Sequence, residues 1–192
     1  MEKELKKIAQ QVESCQKCSL YKSAKKAVPG QGTAKSGVVF IGEAPGQQED
    51  QQGIPFCGPA GQLLDQLLEE ARLDRKKVFI GNVLKHRPPN NRDPEPAEIK
   101  ACFPFLIRQL NCLKPKLIVT LGRYALSLFL PDYSISQIHG QPKRIDWQRS
   151  PYFKDQKMYS QKIVILPQYH PAAALYRGTM KDIIMEGGEA EK

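Results

Sequence analysis

The sequence lacks several features that would identify whole classes of protein. It has no apolar run long enough to cross a membrane, and its first residues, MEKELKKIAQQ, predict an amphipathic charged helix and not a secretion signal. Cysteine occurs only five times, and an odd number without an export signal argues against a disulfide framework. We therefore expect a cytoplasmic protein without a membrane partner, in which the close pair CQKC indicates metal or redox chemistry.

The chain also has fewer acidic than basic residues. The chain has 29 Lys and Arg against 20 Asp and Glu, which gives a net charge of +9. This excess favours a polyanionic partner, most simply nucleic acid, although a solubilising surface would have the same composition. With 192 residues, 41% of them hydrophobic, the chain suits one domain over 1–192. We expect a helix over 1–14 and a disordered tail at about 186–192.

Short apolar runs rich in Val and Ile predict the strands of a parallel sheet. They are GVVFIGEAP, KVFIGNVL, PKLIVTLG and KIVILPQYHP, and each is apolar on both faces. Helical spacing marks AGQLLDQLLEEARL, EPAEIKACFPFLIRQLNCL and GRYALSLFL, and Pro104 should bend the second or delay its start. This alternation predicts an α/β fold, a three-layer α/β/α sandwich with a central, mostly parallel four-stranded sheet.

Unusual residues follow three of these strands. The loops are GEAPGQQED, GNVLKHRPPNNRD and PQYHP, whereas TLG after the remaining strand more simply opens the next helix. Ligands of open α/β sheets bind beyond the carboxyl ends of the strands. We therefore expect Glu43, Asn82 and His170 to lie together in one site.

Several long segments, in this order, resemble the family 4 uracil-DNA glycosylases, the iron–sulfur, thermostable type. The segments are GEAPGQQEDQQGIPFCGPAGQLLDQLL, GNVLKHRPPNNRDPEPAEIKACFPFLIRQL, PKLIVTLG and YHPAAALYR, within a resemblance running from Cys15 to about Arg177. It implies a monomeric DNA-repair hydrolase that flips uracil out of single- or double-stranded DNA, releases the base and leaves an abasic site. The alternative is a catalytically weak DNA-binding iron–sulfur module that senses deaminated bases.

The chemistry of uracil excision suggests roles for three motif residues. The leaving uracil carries negative charge and the sugar develops positive charge, so the site needs hydrogen-bond donors and an anion. The resemblance implies that His170 donates to uracil O2 and that Glu43 positions water or counters the charge on the sugar. Asn82 can accept from N3–H and donate to O4, a pattern that cytosine reverses.

Further motif residues are expected around the base. By resemblance, Phe56 stacks on uracil and Glu49 crowds its 5-carbon to exclude thymine, although a Phe is also an ordinary core residue and QQED an ordinary solvated stretch. Gly42 and Ala44, together with Gly46, can offer backbone N–H groups because small residues permit close approach. Ala44 stands where the best-known uracil glycosylases have an aspartate that family 4 also normally lacks, so the water-activating residue stays open.

Basic residues predict the DNA-facing side. Arg87 and Arg92, with Lys85 nearby, surround the loop RPPNNRDPEP, and Arg177 follows HPAAALY. We expect them to contact phosphates, which fix position and not sequence, although simple solvation is the alternative for any one of them. Leu175 is a candidate wedge for the space that the flipped base leaves.

The resemblance also implies a [4Fe–4S] cluster. Family 4 enzymes usually hold it with four cysteines, of which Cys15, Cys18 and Cys102 are present here, whereas the remaining position is His86. The preferred hypothesis is that His86 is the fourth ligand, because histidine ligation of such clusters is known chemistry. Zinc in the same Cys3His set comes second.

Another cysteine could in principle take the fourth position and leave His86 to meet DNA. Cys112 lies ten residues beyond Cys102 on one predicted helix, about 15 Å by helix rise, which is too far unless the helix breaks. Cys57 lies beside the predicted uracil pocket, where it more simply packs as a small apolar residue.

Overall fold

The computed structural model describes residues 1–176, apart from the side chains of Arg149 and Tyr176. In this range the helices are α1 (Glu2–Glu13), α2 (Gln47–Gln52), α3 (Pro59–Glu70), α4 (Pro96–Leu113), α5 (Arg123–Phe129), α6 (Ile135–Ile138) and α7 (Ala172–Tyr176). The strands are β1 (Gln31–Gly32), β2 (Val38–Gly42), β3 (Phe79–Asn82), β4 (Leu117–Leu121), β5 (Lys143–Asp146) and β6 (Lys162–Gln168). The tail predicted at about 186–192 lies outside the described residues, and the single domain over 1–192 stays a prediction.

The strands form one mixed sheet in the order β1-β3-β2-β4-β6-β5. The four apolar runs are its parallel centre, with β2 paired to β3 and β4, and β4 paired to β6. This confirms the predicted α/β fold. The sequence did not predict the antiparallel edge strands, because β1 has two residues and β5 reads KRID, without an apolar run.

Helices cover both faces of the sheet, because successive residues of a strand point to opposite sides. Val39 and Ile118 pack in a large core with Leu106 of α4, and the neighbouring Phe40 and Val119 pack in a second cluster with residues of α3. The two cores make the three layers that the alternation of strands and helices predicts.

Helix α4 runs unbroken from Pro96 to Leu113, with Pro104 inside it. The expectation of a delayed start at Pro104 is therefore wrong. The helix begins earlier because proline suits the first turn, and because Glu98 Oε2 accepts the N–H of Glu95 at 2.9 Å. Ile8 of α1 packs against Phe105, so the N-terminal helix lies along α4.

Among residues 1–176, no helix combines the length and the apolar character that crossing a membrane would require.

Candidate active site

A cavity of about 370 Å³ lies beyond the carboxyl ends of β2, β3 and β6. Glu43, Asn82 and His170 all line it, so the structure brings together the residues of the three predicted loops. The other residues that line it are Ala44, Pro45, Gly46, Glu49, Phe56, Ala60, Pro88, Asn91, Arg92 and Ala172. This volume is in the range of small-molecule sites and can hold a single base.

Asn82 ends β3 with a side chain that is ready for a ligand. It is 1% exposed, and neither Oδ1 nor Nδ2 has a hydrogen-bond partner among the described residues. A Cβ at Gly42 would lie 2.4 Å from Asn82 Oδ1 and 2.6 Å from Phe56 Cζ, so only glycine fits between them. Buried amides are normally satisfied, so an unpaired amide facing a cavity indicates that something polar binds there.

Phe56 also lines the cavity and is held in a strained turn. Its φ is +49°, in the left-handed region that non-glycine residues rarely occupy. Arg75 Nη2 donates to the carbonyls of Pro55 and Phe56 at 2.9 and 3.0 Å, and a Cβ at Gly61 would lie 1.8 Å from the Phe56 carbonyl. The ring centroid stands 5.5 Å from that of His170. The backbone around Phe56 thus fixes an aromatic face in the cavity.

His170 lines the cavity, and a backbone hydrogen bond defines the tautomer of its imidazole. The backbone N–H of Ala172 donates to Nδ1 at 3.1 Å, so Nδ1 is an acceptor and the ring proton belongs on Nε2. Burial lowers the pKa of His170 to about 4, and Glu49 opposes this only in part. The imidazole is therefore neutral at pH 7 and can donate from Nε2.

Glu43 follows β2 and has an unusual acidity. Its pKa is raised to about 7, mainly by burial and in smaller part by the nearby Asp93, while Arg123 opposes the change. Arg123 and Asp93 form an exposed ion pair at 2.7 Å. A carboxyl with this pKa can exchange a proton near neutral pH, which suits acid–base work.

The end of β4 also borders this site. Helix α5 begins at Arg123, as the sequence predicts, and Gly122 (φ +87°) approaches His170 so closely that a Cβ would lie 3.1 Å from the His170 Cβ. No site residue is predicted at this strand end from the sequence. The glycine of TLG was the only local signal, and many strand-to-helix turns have one.

Glu49 accepts hydrogen bonds from backbone N–H groups around the site. Its Oε1 accepts the N–H groups of Cys57 and Gly58 at 3.0 and 2.9 Å, and its Oε2 accepts that of Gly46 at 3.1 Å. The expectation that Gly46 offers a free N–H to the base is therefore wrong. Glu49 still lines the cavity, as its predicted role against thymine requires, and that role stays a prediction.

The predicted DNA-binding residues have differing surroundings. Leu175 is 52% exposed, as a wedge must be, and Arg87 is half-buried with its Nε bonded to Asn91 at 2.7 Å. Arg92 lines the cavity, but its guanidinium also binds the buried Glu98 at 2.6 and 3.0 Å. Arg177 lies outside the described residues.

Lys85 does not face DNA, and that part of the prediction is wrong. Its side chain is 1% exposed, with Nζ donating to the Asn82 carbonyl at 2.8 Å and to Gln109 Oε1 at 2.9 Å. Burial lowers its pKa to about 8. The Asn82 carbonyl and Gln109 supply the acceptors that hold the ammonium inside the protein.

The predicted metal ligands lie near one another behind the active site. Cys15 and His86 line a second cavity, of about 480 Å³. Burial is the main cause that raises the pKa of Cys102 to about 11; Lys85 opposes the rise, and charge on Cys18 and Cys15 adds to it, so the three sulfur atoms lie within electrostatic range of one another. Within residues 1–176, no group of three or more His, Cys, Asp or Glu side chains is arranged to hold a metal ion.

Cys112 lies apart from Cys102. Cys112 lies on the same unbroken helix as Cys102, and its thiol donates to the Met1 carbonyl at 3.2 Å. Because α4 has no break, ten residues of helix separate the two thiols by about 15 Å. Cys112 could join Cys102 at one cluster only if the helix broke between them. Since α4 is continuous, Cys112 is too far away to be the fourth ligand.

Comparison with known proteins shows which family and which individual proteins this chain resembles. A model of the Uracil DNA glycosylase superfamily matches residues 29–185. The chain is 46% identical over 180 residues to a Type-4 uracil-DNA glycosylase of Saccharolobus solfataricus, covering 93% of this chain and 81% of that protein. A protein of the same name from Thermotoga maritima is 38% identical over 189 residues, which are 96% of this chain and 91% of the relative.

Proposed function

The chain belongs to the uracil DNA glycosylase superfamily, and from this premise we propose how its cavity removes uracil from DNA. The activity is that of a uracil-DNA glycosylase, an enzyme of base excision repair that hydrolyses the N-glycosidic bond of uracil. We further propose that the enzyme is a monomer and acts on both single- and double-stranded DNA. The buried, unpaired amide of Asn82, in the same cavity as the Nε2 donor of His170, carries the assignment of the site.

Recognition depends on the geometry of Asn82 and Phe56. Uracil enters the cavity with one face on the Phe56 ring and its N3–H and O4 towards the Asn82 amide. Both unpaired atoms of the amide are then satisfied, one as acceptor and one as donor. Cytosine would direct an acceptor at an acceptor and a donor at a donor, which leaves the same buried atoms unpaired at a cost of about 1–3 kcal/mol each.

Bond cleavage leaves negative charge on the uracil ring. His170 donates from Nε2 to uracil O2, and the bond strengthens as the charge develops. The neutral state favours this role because burial already disfavours the imidazolium, and the Ala172 N–H holds the ring in the required tautomer. His170 thus acts as a fixed electrophile and does not have to gain a proton.

Cleavage also leaves positive charge on the sugar. Glu43 lines the same cavity, and as a carboxylate it counters that charge and orients the water that attacks the sugar carbon. Because its pKa is about 7, both the carboxylate and the protonated form are populated near neutral pH. Among the carboxyl groups that line the cavity, Glu49 is occupied by three backbone N–H groups, so Glu43 is the better candidate.

The donor set behind the site fits an iron–sulfur cluster. Type-4 uracil-DNA glycosylases are generally associated with such a cluster, and we propose that Cys15, Cys18, Cys102 and His86 would hold it here. Cys102 lies within electrostatic range of Cys18 and Cys15, and Cys15 lines the same cavity as His86. A multi-iron cluster is larger than one ion, so its ligands stand further apart. Zinc needs ligands at about 2.0–2.3 Å, and no such compact group occurs within residues 1–176. The cluster supplies a structural crosslink and no step of the hydrolysis.

The proposed activity is tested with an oligonucleotide that contains one uracil. Incubation followed by alkaline cleavage should give a strand break at the uracil with the wild-type protein, and cytosine or thymine at that position should give none. Absence of cleavage, with DNA binding retained, would contradict the assigned activity. Unchanged cleavage by the His170→Ala and Asn82→Ala variants would instead contradict the site.

The metal assignment has its own measurement. The purified protein should be brown, with absorbance near 400 nm from iron–thiolate charge transfer and iron and sulfide by chemical analysis. His86→Cys should keep the absorbance and alter its shape, His86→Ala should weaken it, and Cys112→Ala should leave it unchanged. A colourless preparation that contains zinc would contradict the cluster.

A further inference from the structure

Lys85 is a cation buried at the centre of the molecule. Its ammonium donates to the Asn82 carbonyl at 2.8 Å and to Gln109 Oε1 at 2.9 Å, and no carboxylate among the described residues pairs with it. Burial disfavours this charge more than the nearby Cys102 favours it, and a methionine would fill a similar volume without the cost of burying a charge. Packing alone therefore does not explain why a cation lies here.

The contacts of Lys85 connect the active site to a rigid support. Gln109 belongs to α4, and its Nε2 donates to the Pro29 carbonyl at 2.6 Å. The backbone of Lys85 is fixed as well, because its carbonyl accepts the N–H of Val28 at 2.7 Å. The ammonium thus connects the Asn82 backbone by hydrogen bonds to Gln109 of α4, and through Gln109 to the segment before β1.

Asn82 depends on this kind of support. Its amide has no hydrogen bond among the described residues, so the direction of the amide follows from its backbone and from close contacts. A peptide rotation of a few degrees at the end of β3 would move the amide relative to the uracil edge. Catalytic geometry is sensitive to such small displacements.

We propose that Lys85 is a positioning residue for uracil recognition, which fixes the Asn82 backbone from behind through its buried ammonium. It touches neither the base nor the DNA. This inference rests on the proposed function, because it concerns how the uracil-reading amide is oriented. It predicts that Lys85 matters for the rate only while the Asn82 amide is present.

A double-mutant cycle tests this dependence. Lys85→Met, Asn82→Ala and the double variant are compared in single-turnover reactions at saturating uracil-containing DNA, with rates corrected for folded protein. We expect Lys85→Met to reduce the rate about ten- to a hundredfold in the wild-type background and less than about threefold in the Asn82→Ala background. Affinity for a uracil-free oligonucleotide should stay within about twofold.

A matched control separates positioning from stability. Leu110 is fully buried on α4, and Leu110→Ala should lower the melting temperature without lowering the saturated rate per folded molecule. Should Lys85→Met fail to fold, Gln109→Met replaces it in the cycle. This variant removes the hydrogen bond between Lys85 and Gln109, which is the next link from Asn82 in the same connection. It should show the same dependence on Asn82.

The outcomes are distinguishable from a failure of the proposed function. Equal losses from Lys85→Met in both backgrounds would overturn the inference and leave the glycosylase assignment intact. An unchanged rate of Lys85→Met would do the same. A strongly reduced but measurable rate of cleavage by Asn82→Ala, with a wild-type enzyme that is active, verifies the underlying assignment independently.

Discussion

At the scale of single residues, the Asn82 amide is held for a ligand before any ligand arrives. Gly42 leaves room on one side, and the Phe56 ring closes the space near it. The protein bears the cost of two unpaired buried atoms in the free state and recovers it only when a partner with the matching pattern enters. Discrimination between bases is therefore built into the empty site.

This arrangement predicts opposite effects on activity and on stability. Asn82→Ala removes two hydrogen bonds to uracil, worth about 1–1.5 kcal/mol each, so kcat/KM should fall about a hundredfold. The melting temperature should stay equal or rise, because the unpaired atoms are gone. Calorimetry and steady-state cleavage assays check the two parts. A large loss of stability would show that the amide has a structural partner.

The acidity of Glu43 predicts a pH profile. Its pKa is about 7, so the carboxylate fraction, and with it kcat/KM, should rise as the pH increases from 6 to 8. His170 adds no inflection there, because its pKa is about 4. Glu43→Gln should be about a hundredfold slower and flat over this range. A profile of the variant that still rises would assign the inflection to another group.

Residue roles are predictable from the sequence where they depend on strand ends, and less so where they depend on tertiary neighbours. Glu43, Asn82 and His170 follow apolar strands, and the parallel sheet brings them together. Lys85 precedes Arg87 by only two residues, yet it turns inward because Gln109, far along the chain, offers it an acceptor. No local pattern contains that information.

At the scale of elements, the loop GQQEDQQGIPF is held by its own carboxylate and by one distant arginine. Glu49 accepts three N–H groups from both ends of the loop, and Arg75 binds the carbonyl of Phe56. The aromatic wall of the cavity therefore belongs to a preorganised turn, which lowers the cost of ordering it when the base binds.

The start of α4 is a second such element and gives a stability prediction. Glu98 is 2% exposed and accepts bonds from Arg92 and from the Glu95 N–H, and its pKa is lowered first by the Arg92 hydrogen bonds. Glu98→Gln should cost about 1–3 kcal/mol in unfolding free energy at pH 7. Urea denaturation measures it.

The pH dependence and a control make that prediction sharper. Because the folded pKa of Glu98 is lowered, its contribution is complete above the unfolded value of 4.5 and is lost as the pH falls through the folded pKa. The wild type and Glu98→Gln should therefore converge in acid. Glu95 pairs with the same Arg92 at 3.2 Å but is 60% exposed, so Glu95→Gln should change stability by less than about 0.5 kcal/mol.

Elements were predictable where apolar periodicity is strong. The four central strands and helix α3 each have a clear pattern and appear where the sequence places them. A late start of α4, one of the two outcomes predicted for Pro104, is wrong because proline is unfavourable in the middle of a helix but favoured at its beginning, and α4 has one at each place. The edge strands β1 and β5 depend on pairing with a neighbour and have no signal of their own.

At the scale of the whole molecule, the excess of positive charge predicts how strongly DNA binding depends on salt. Each phosphate contact releases counterions, so the dissociation constant should rise about tenfold or more between 50 and 200 mM salt, with little change in the saturated single-turnover rate. Fluorescence anisotropy with a labelled oligonucleotide measures the affinity. A dissociation constant independent of salt would contradict a charge-driven interface.

Two variants locate that interface. Arg87, on the loop beside the cavity, should contribute to the salt dependence, so Arg87→Gln should reduce the slope by about one. Lys116 is exposed at the opposite, amino-terminal end of β4, and Lys116→Gln should leave the slope unchanged. Equal effects of the two substitutions would mean that net charge, and not the loop, attracts DNA.

The two edge strands of the sheet have a consequence for solution behaviour. Another chain can pair with an exposed edge strand through its free backbone groups, which leads to aggregation, and proteins avoid this with short or charged edge strands. Here one edge is the two-residue β1, which ends at Gly32 with φ +99°, and the other is the charged sequence KRID of β5. Neither offers a continuous apolar ladder, so the enzyme should resist aggregation even at high concentration.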